Sequence, residues 1–145
     1  IVHALAYEKA HITICSRNSV SASKIAADLQ KNFSGKINKT EILASVSELD
    51  QEIDLIVNTT PVGMEPYTES SPWPETVPFP GCKLTYDLIY RPKMTIFLQQ
   101  AQNAGSTVVN GLGMLVHQAA RSFEMWTRIP APIEIMRQAV TCSNF

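Results

Sequence analysis

The sequence predicts an α/β fold built on a mostly parallel sheet, and three observations predict it. Short β-prone runs alternate with helical patterns along the chain. The run Ile53-Asp54-Leu55-Ile56-Val57-Asn58 has the continuous hydrophobicity of a strand buried on both faces. The residues that follow each strand are polar, small or glycine-bearing, where solvated loops would more often carry Lys and Glu. Strand and helix alternating at this spacing implies parallel strands joined by right-handed crossovers. Ligands of such sheets bind beyond the carboxyl ends of the strands, so those segments are the place to look for function.

Taken in order, IVHALAYEKA opens the chain as an amphipathic helix in mid-pattern, with Val2, Leu5 and Ala6 on one face and no N-cap residue. A helix that starts this way looks cut, and we expect a longer parent chain. His11 to Cys15 is β-prone. Ser19 or Ser21 can cap a helix through about Phe33 with Ile25, Ala26 and Leu29 inward. Lys31 to Lys39 reads as a polar loop, Glu41 to Ala44 as a strand and Val46 to Leu49 as a helical turn. Met64 to Gly81 carries Pro66, Pro72, Pro74, Pro78 and Pro80, which exclude a long helix or a central strand. Leu84 to Ile89 reads as a further strand. Pro92 is expected to start a helix through about Asn103, with Gly105 as its stop. Thr107-Val108-Val109 is a short strand that gives way to Asn110 to Trp126, where Leu115, Ala119, Phe123 and Trp126 form one apolar stripe. Pro130 and Pro132 precede a last helix from Ile133 to about Val140.

Composition narrows the function. A chain of 145 residues can bury a core, and a net charge of −1 with interspersed acids and bases gives no footprint for nucleic acid or an anionic membrane. No run approaches the roughly 20 apolar residues of a membrane span. Cys15, Cys82 and Cys142 are odd in number and far apart, which argues against a disulfide framework and for a reducing compartment. His3, His11 and His117 share no metal-like spacing.

Four strand-end segments remain: Ser16-Arg17-Asn18, Asn58-Thr59-Thr60, Ile89-Tyr90 and Asn110-Gly111-Leu112-Gly113. In nucleotide-binding sheets an Arg with hydroxyl or amide neighbours after the second strand suits the 2′-phosphate of NADP, and its planar guanidinium can stack on adenine. The alternative is an ordinary surface Arg. Gly111 and Gly113 stand at a strand-to-helix corner, where glycine lets a ligand approach the backbone, and Gln118 behind them can hydrogen-bond a polar ligand without adding charge. The plainer reading is a tight turn and a core helix that tolerates one Gln. Asp87 reads as structural; Trp73 is open between a lid and simple packing.

Three ordered segments carry a family resemblance. DLIVNTTPVGM, DLIYRPKMTIFLQQAQNAG and NGLGMLVHQAARSFEMW resemble the segments D-aliphatic-N-A-T-x-x-G-M, D-x-x-Y-x-P-x-x-T-x-x-L-x-x-A-x-x-x-G and D-G-L-G-M-L-x-x-Q-x-A-x-x-F-x-x-W of shikimate dehydrogenase. The resemblance covers essentially the whole chain: that family's NADP-binding domain and its C-terminal helices. It implies a Rossmann-like doubly wound, mostly parallel sheet truncated at its N-terminus. Residues 1–126 would be a partial NADP-binding domain, and residues 127–145 a helical segment packing back toward a substrate domain.

The resemblance also implies roles. Ser16, Arg17 and Asn18 match the clamp for the adenosine 2′-phosphate, usually Asn-Arg-Thr. Thr60 matches a residue on the path to the nicotinamide, and Leu88 and Gly111 match positions touching the nicotinamide end, with Met114 close by as a further cofactor contact. Tyr90 and Gln118 match residues that bind the substrate's hydroxyl and carboxylate groups. Asn110 stands where the family commonly has Asp. The implied parent is a cytoplasmic NADP-dependent oxidoreductase of the shikimate pathway, reducing 3-dehydroshikimate to shikimate for chorismate and aromatic amino-acid biosynthesis.

The glycine-rich loop of the first βα unit, and the substrate domain with its proton-transferring Lys and Asp, would precede Ile1. Lys24 and Lys93, read as helix-borne, do not replace that Lys, so no catalytic residue is expected here and the chain alone is expected to be inactive. A quinate/shikimate dehydrogenase using NAD or NADP is the close alternative; a non-catalytic nucleotide-binding or assembly module is the alternative of another class.

Overall fold

The computed structural model describes residues 1–33, 40–49 and 52–142. They form two compact units, Ile1–Gln51 and Glu52–Phe145.

In the first unit α1 (Val2–Tyr7), β1 (Ile12–Cys15), α2 (Ser19–Asn32) and β2 (Thr40–Leu43) make one strand–helix–strand crossover, followed by a 3-10 turn at Val46–Glu48. β1 and β2 run parallel with Ile12 opposite Thr40 and Cys15 opposite Leu43. The core of the unit is Ala6, Ile12 and Leu29, with Val2, Leu5, Ala10, Ile14 and Phe33 packed against it. The apolar face expected of α1 therefore buries as read. α2 differs: Ala22 and Leu29 are buried, whereas Ile25 is 40% exposed. Neither Ser19 nor Ser21 is its cap. Asn18 is, its side-chain oxygen accepting from the backbone N–H of Ser21 at 3.0 Å. The cap needs extended backbone one residue before the first helical turn, and Ser19 is already helical. The polar loop expected at 31–39 begins later, because α2 runs through Asn32; residues 34–39 lie outside the described residues. The predicted turn after β2 carries a capping box, Ser45 and Glu48 satisfying each other's backbone N–H groups.

The second unit holds β3 (Leu55–Asn58), β4 (Leu84–Asp87), α3 (Ile96–Asn103), β5 (Thr107–Val109), α4 (Leu112–Thr127) and α5 (Ile133–Cys142). The three strands pair parallel in the order β3-β4-β5, with Leu55, Leu84 and Thr107 in register. β3 starts two residues later than the apolar run suggested, and Leu55, Ile56 and Val57 are half-buried, not sealed on both faces. β4 stops at Asp87, two residues short of Ile89. The proline-rich stretch between β3 and β4 forms turns and bends without a helix or strand. Trp73 in it is packing: it is 4% exposed, its indole N–H donates to the Val77 carbonyl at 2.9 Å, and its ring lies 4.6 Å from Phe79. Phe79 in turn meets Phe97 of α3 edge-on at 5.6 Å.

Pro92 does not open α3. Residues 91–94 bend, and Thr95 caps the helix, its hydroxyl accepting from Leu98 N–H at 3.3 Å. Proline fits a first helical turn but cannot supply the side-chain acceptor that a cap requires, and Thr95 can. Lys93 accordingly sits in the bend and not on the helix. Gly105 follows α3 at φ +89°, the left-handed stop expected of it.

The face of α4 that packs inward is a correction of a different kind. Val116 and Ala120 are buried, while Trp126 at the end of the expected stripe is 82% exposed. That stripe and Met136 of α5 instead line a groove of about 380 Å³.

Candidate functional site

In the first unit, the Ser16-Arg17-Asn18 loop is built by its own side chains. Ser16 N–H donates to the Leu43 carbonyl at 3.0 Å, which ties the end of β1 to the end of β2. The Ser16 hydroxyl accepts from Asn18 N–H at 3.1 Å and Asn18 caps α2. Ser16 and Asn18 thus shape the loop, and Arg17 projects from it, exposed. No hydrogen bond or ion pair engages its guanidinium among the described residues. A free planar cation beside the N-terminus of a 14-residue helix is an arrangement suited to a phosphate.

In the second unit, the ends of β3 and β4 and the cap of α3 converge on one buried carboxylate. Asp87 is 0% exposed, and three donors surround it. Asn58 Nδ2 and Ile89 N–H each donate to Oδ1 at 3.0 Å, and the Thr95 hydroxyl donates to Oδ2 at 2.6 Å. Burial raises the Asp87 pKa above the ordinary carboxylate value, against the opposing hydrogen bonds from Thr95, Ile89 and Asn58. Asn58 is itself a junction: its side-chain oxygen accepts from Thr60 N–H at 2.9 Å and from the Thr60 hydroxyl at 2.7 Å. The backbone is pinned beside it, with Leu88 N–H donating to the Asn58 carbonyl at 3.1 Å and Gly111 N–H to the Ile89 carbonyl at 3.0 Å.

Of the residues nominated from sequence, Thr60, Leu88, Tyr90 and Gly111 are therefore gathered at one sheet edge. Thr60 is exposed and half-exposed Tyr90 follows buried Ile89. Gly111 has no room for a side chain, and the tight neighbour is the protein itself, not only a ligand: an added Cβ would stand 1.9 Å from the Leu88 carbonyl oxygen. Gly113, by contrast, faces open space. Met114 is exposed at the start of α4. Gln118 lies seven residues beyond Gly111, about 10 Å along the helix axis, where it lines the groove with Leu115, Ala119 and Phe123. His117 points elsewhere and is not in that lining. No hydrogen bond engages the Tyr90 hydroxyl or the Gln118 amide among the described residues, so both remain available to a ligand.

Asn110 has a use that an Asp could not fully serve. Its oxygen accepts from Leu112 N–H at 3.1 Å, as an Asp would, but its Nδ2 donates to the Lys93 carbonyl at 3.0 Å. The amide thereby ties the β5–α4 corner to the bend before α3.

Sequence reasoning left Asn58 and Thr95 without a role in this edge. Asn58 closes an apolar strand with an amide, and Thr95 precedes a helical run with a hydroxyl; both signals were present. Among the described residues no group of three His, Cys, Asp or Glu could hold a metal ion. No helix of the described residues is long and apolar enough to cross a membrane.

Parallel strand–helix–strand units with small and polar residues at the strand ends define the class of Rossmann-like α/β proteins. Comparisons with known proteins narrow the class. Residues 111–141 match the shikimate 5′-dehydrogenase C-terminal domain. The chain is 39% identical over 136 residues to the NADP(+) shikimate dehydrogenase of Methanococcus maripaludis, covering 90% of this chain and 46% of that one. The crystal structure of a shikimate dehydrogenase in complex with NADP+ superposes with a TM-score of 0.70 at 31% identity, over 90% of this chain and 46% of the other. The ligand-free 5-ketofructose reductase of Gluconobacter sp. strain CHM43 superposes with a TM-score of 0.72 at 30% identity, over 91% and 47%. The chain matches the C-terminal part of shikimate dehydrogenases, and it spans about half the length of the curated relatives it matches.

Proposed function

We propose that this chain is the cofactor-binding part of an NADP-dependent shikimate dehydrogenase, which reduces 3-dehydroshikimate to shikimate with NADPH in the cytoplasm. The observation that carries the reading is the gathering of Thr60, Leu88 and Gly111 at the carboxyl edge of β3-β4-β5, the edge at which α/β sheets bind their ligands. Arg17, held in the open by Ser16 and Asn18, takes the adenosine 2′-phosphate. Thr60, Leu88, Gly111 and Met114 receive the nicotinamide end. NADPH would supply the hydride when bound.

The chain's own residues bind and orient. Tyr90 and Gln118 offer a free hydroxyl and a free amide, which suit a substrate rich in hydroxyls with one carboxylate. They position the substrate. The proton-transferring residues belong to the half of the relatives' length that this chain does not match. The open groove lined by Leu115, Phe123, Trp126 and Met136, with the described part of the C-terminal segment, residues 127–142, is the face we assign to that substrate-binding half.

The complete enzyme carrying this chain is expected to oxidise NADPH on addition of 3-dehydroshikimate, followed by loss of absorbance at 340 nm (an ordinary property of the reduced nicotinamide). Gln118→Ala should raise KM for shikimate while leaving KM for NADP+ unchanged. No turnover of 3-dehydroshikimate, or a faster reaction with quinate and NAD, would overturn the assignment.

A further inference from the structure

The dehydrogenase reading gives roles to the residues that face a ligand, but not to the buried group that holds them. Asp87 is the only fully buried carboxylate among the described residues, and the three donors converging on it come from three different places in the chain. Asn58 ends β3, Ile89 lies in the turn after β4, and Thr95 caps α3. Through Asn58 the same network reaches Thr60, whose N–H and hydroxyl both end on the amide oxygen. Through Ile89 it fixes the turn that carries Leu88 on one side and Tyr90 on the other. Gly111 then closes on that turn from β5, bonded to the Ile89 carbonyl and touching the Leu88 backbone.

We propose that Asp87, clamped between Asn58 and Thr95, is a positioning residue for hydride transfer: its carboxylate sets Leu88, Tyr90 and Thr60 in one arrangement. This rests on the dehydrogenase reading above. Asp87 is sealed from solvent and bonded to Ile89 N–H, so its effect passes through the backbone of the Leu88–Tyr90 turn. A buried carboxylate is expensive unless every oxygen is satisfied, and a simple apolar residue would serve packing at lower cost. Its presence is explained by what it orients. Hydride transfer is sensitive to placement, and a misplacement of about 1 Å can cost on the order of 100-fold in rate.

The test uses the complete enzyme with Asp87→Asn, Thr95→Val and Thr95→Ser, assayed below the melting temperature of each variant. Asp87→Asn and Thr95→Val are expected to lower kcat and raise KM for 3-dehydroshikimate, a combined loss of about 10- to 100-fold in kcat/KM. KM for NADPH should move far less, because the 2′-phosphate contact stands in the other unit. Thr95→Ser, which keeps the hydroxyl, should recover most of the loss. A purely structural role would lower the melting temperature while leaving both KM values and kcat per folded molecule unchanged, and that result would overturn the proposal. If Asp87→Asn does not fold, the Thr95 pair decides by the same criterion. A wild-type enzyme that cannot use 3-dehydroshikimate would overturn the dehydrogenase reading and this role with it; an active wild type with unaltered variants overturns this role alone.

Discussion

Gly111 and Leu88 approach so closely that a Cβ on Gly111 would lie 1.9 Å from the Leu88 carbonyl oxygen and 2.5 Å from its carbonyl carbon. Backbone meets backbone there, so no rotamer change can relieve the contact. Gly111→Ala must push the β5–α4 corner away from the end of β4 or break the bond to Ile89. Overpacking of this kind costs about 1–3 kcal/mol, and more when only backbone can yield. Gly113, two residues further on and facing open space, is the control: Gly113→Ala should be neutral or stabilise α4 by roughly 0.5–1 kcal/mol. Thermal melts of the two variants check this, and equal melting temperatures would refute the contact.

Arg17 should govern cofactor choice without governing turnover. A charge-assisted hydrogen bond to a phosphate contributes about 1.5–3 kcal/mol, roughly one to two orders of magnitude in affinity. Arg17→Ala is therefore expected to weaken NADPH binding about 10- to 100-fold while leaving NADH affinity where it was. Calorimetric titration of the complete enzyme with each nucleotide reads both. A parallel loss for NADPH and NADH would place Arg17 away from the 2′-phosphate.

Asp87 makes a prediction about pH whose sign runs against the usual carboxylate. Its folded-state pKa is raised from 3.8, chiefly by burial, so the folded protein holds this proton more tightly than the unfolded chain. The contribution of this group to stability is then fully present below about pH 3.8, the unfolded value, and is lost as pH rises through the raised folded value. Asp87→Asn cannot titrate. The stability of wild type relative to Asp87→Asn should fall with rising pH over that window and then level off. Urea melts of both proteins from acid to neutral pH give the difference, and a wild-type advantage that grows with pH would mean that the hydrogen bonds outweigh burial.

Much of the fold was legible because its signals are local. The strand at Ile12–Cys15, the glycine stop at Gly105 and the irregular proline-rich stretch follow from side-chain shape and backbone freedom within a few residues. Cap positions were less legible. Ser19, Ser21 and Pro92 offered plausible starts, and the choice of Asn18 and Thr95 depends on which residue is still extended when the first turn closes. The face of α4 was not legible at all: both Val116 with Ala120 and the stripe ending at Trp126 have helical spacing. Periodicity says that an apolar face exists, and only a packed neighbour says which one is used.

The sequence by itself determined the order of strands and helices, the polar and glycine-bearing strand ends, and Arg17 as the cation after β1. These depend on composition and spacing along the chain. The tertiary structure alone decided that Asn58 and Asp87, 29 residues apart, share a hydrogen bond, and that Leu88 leaves Gly111 no room for a side chain. Both depend on the register of β3, β4 and β5. Register comes from hydrogen bonds between strands distant in sequence, and no local pattern encodes which residue will stand opposite which.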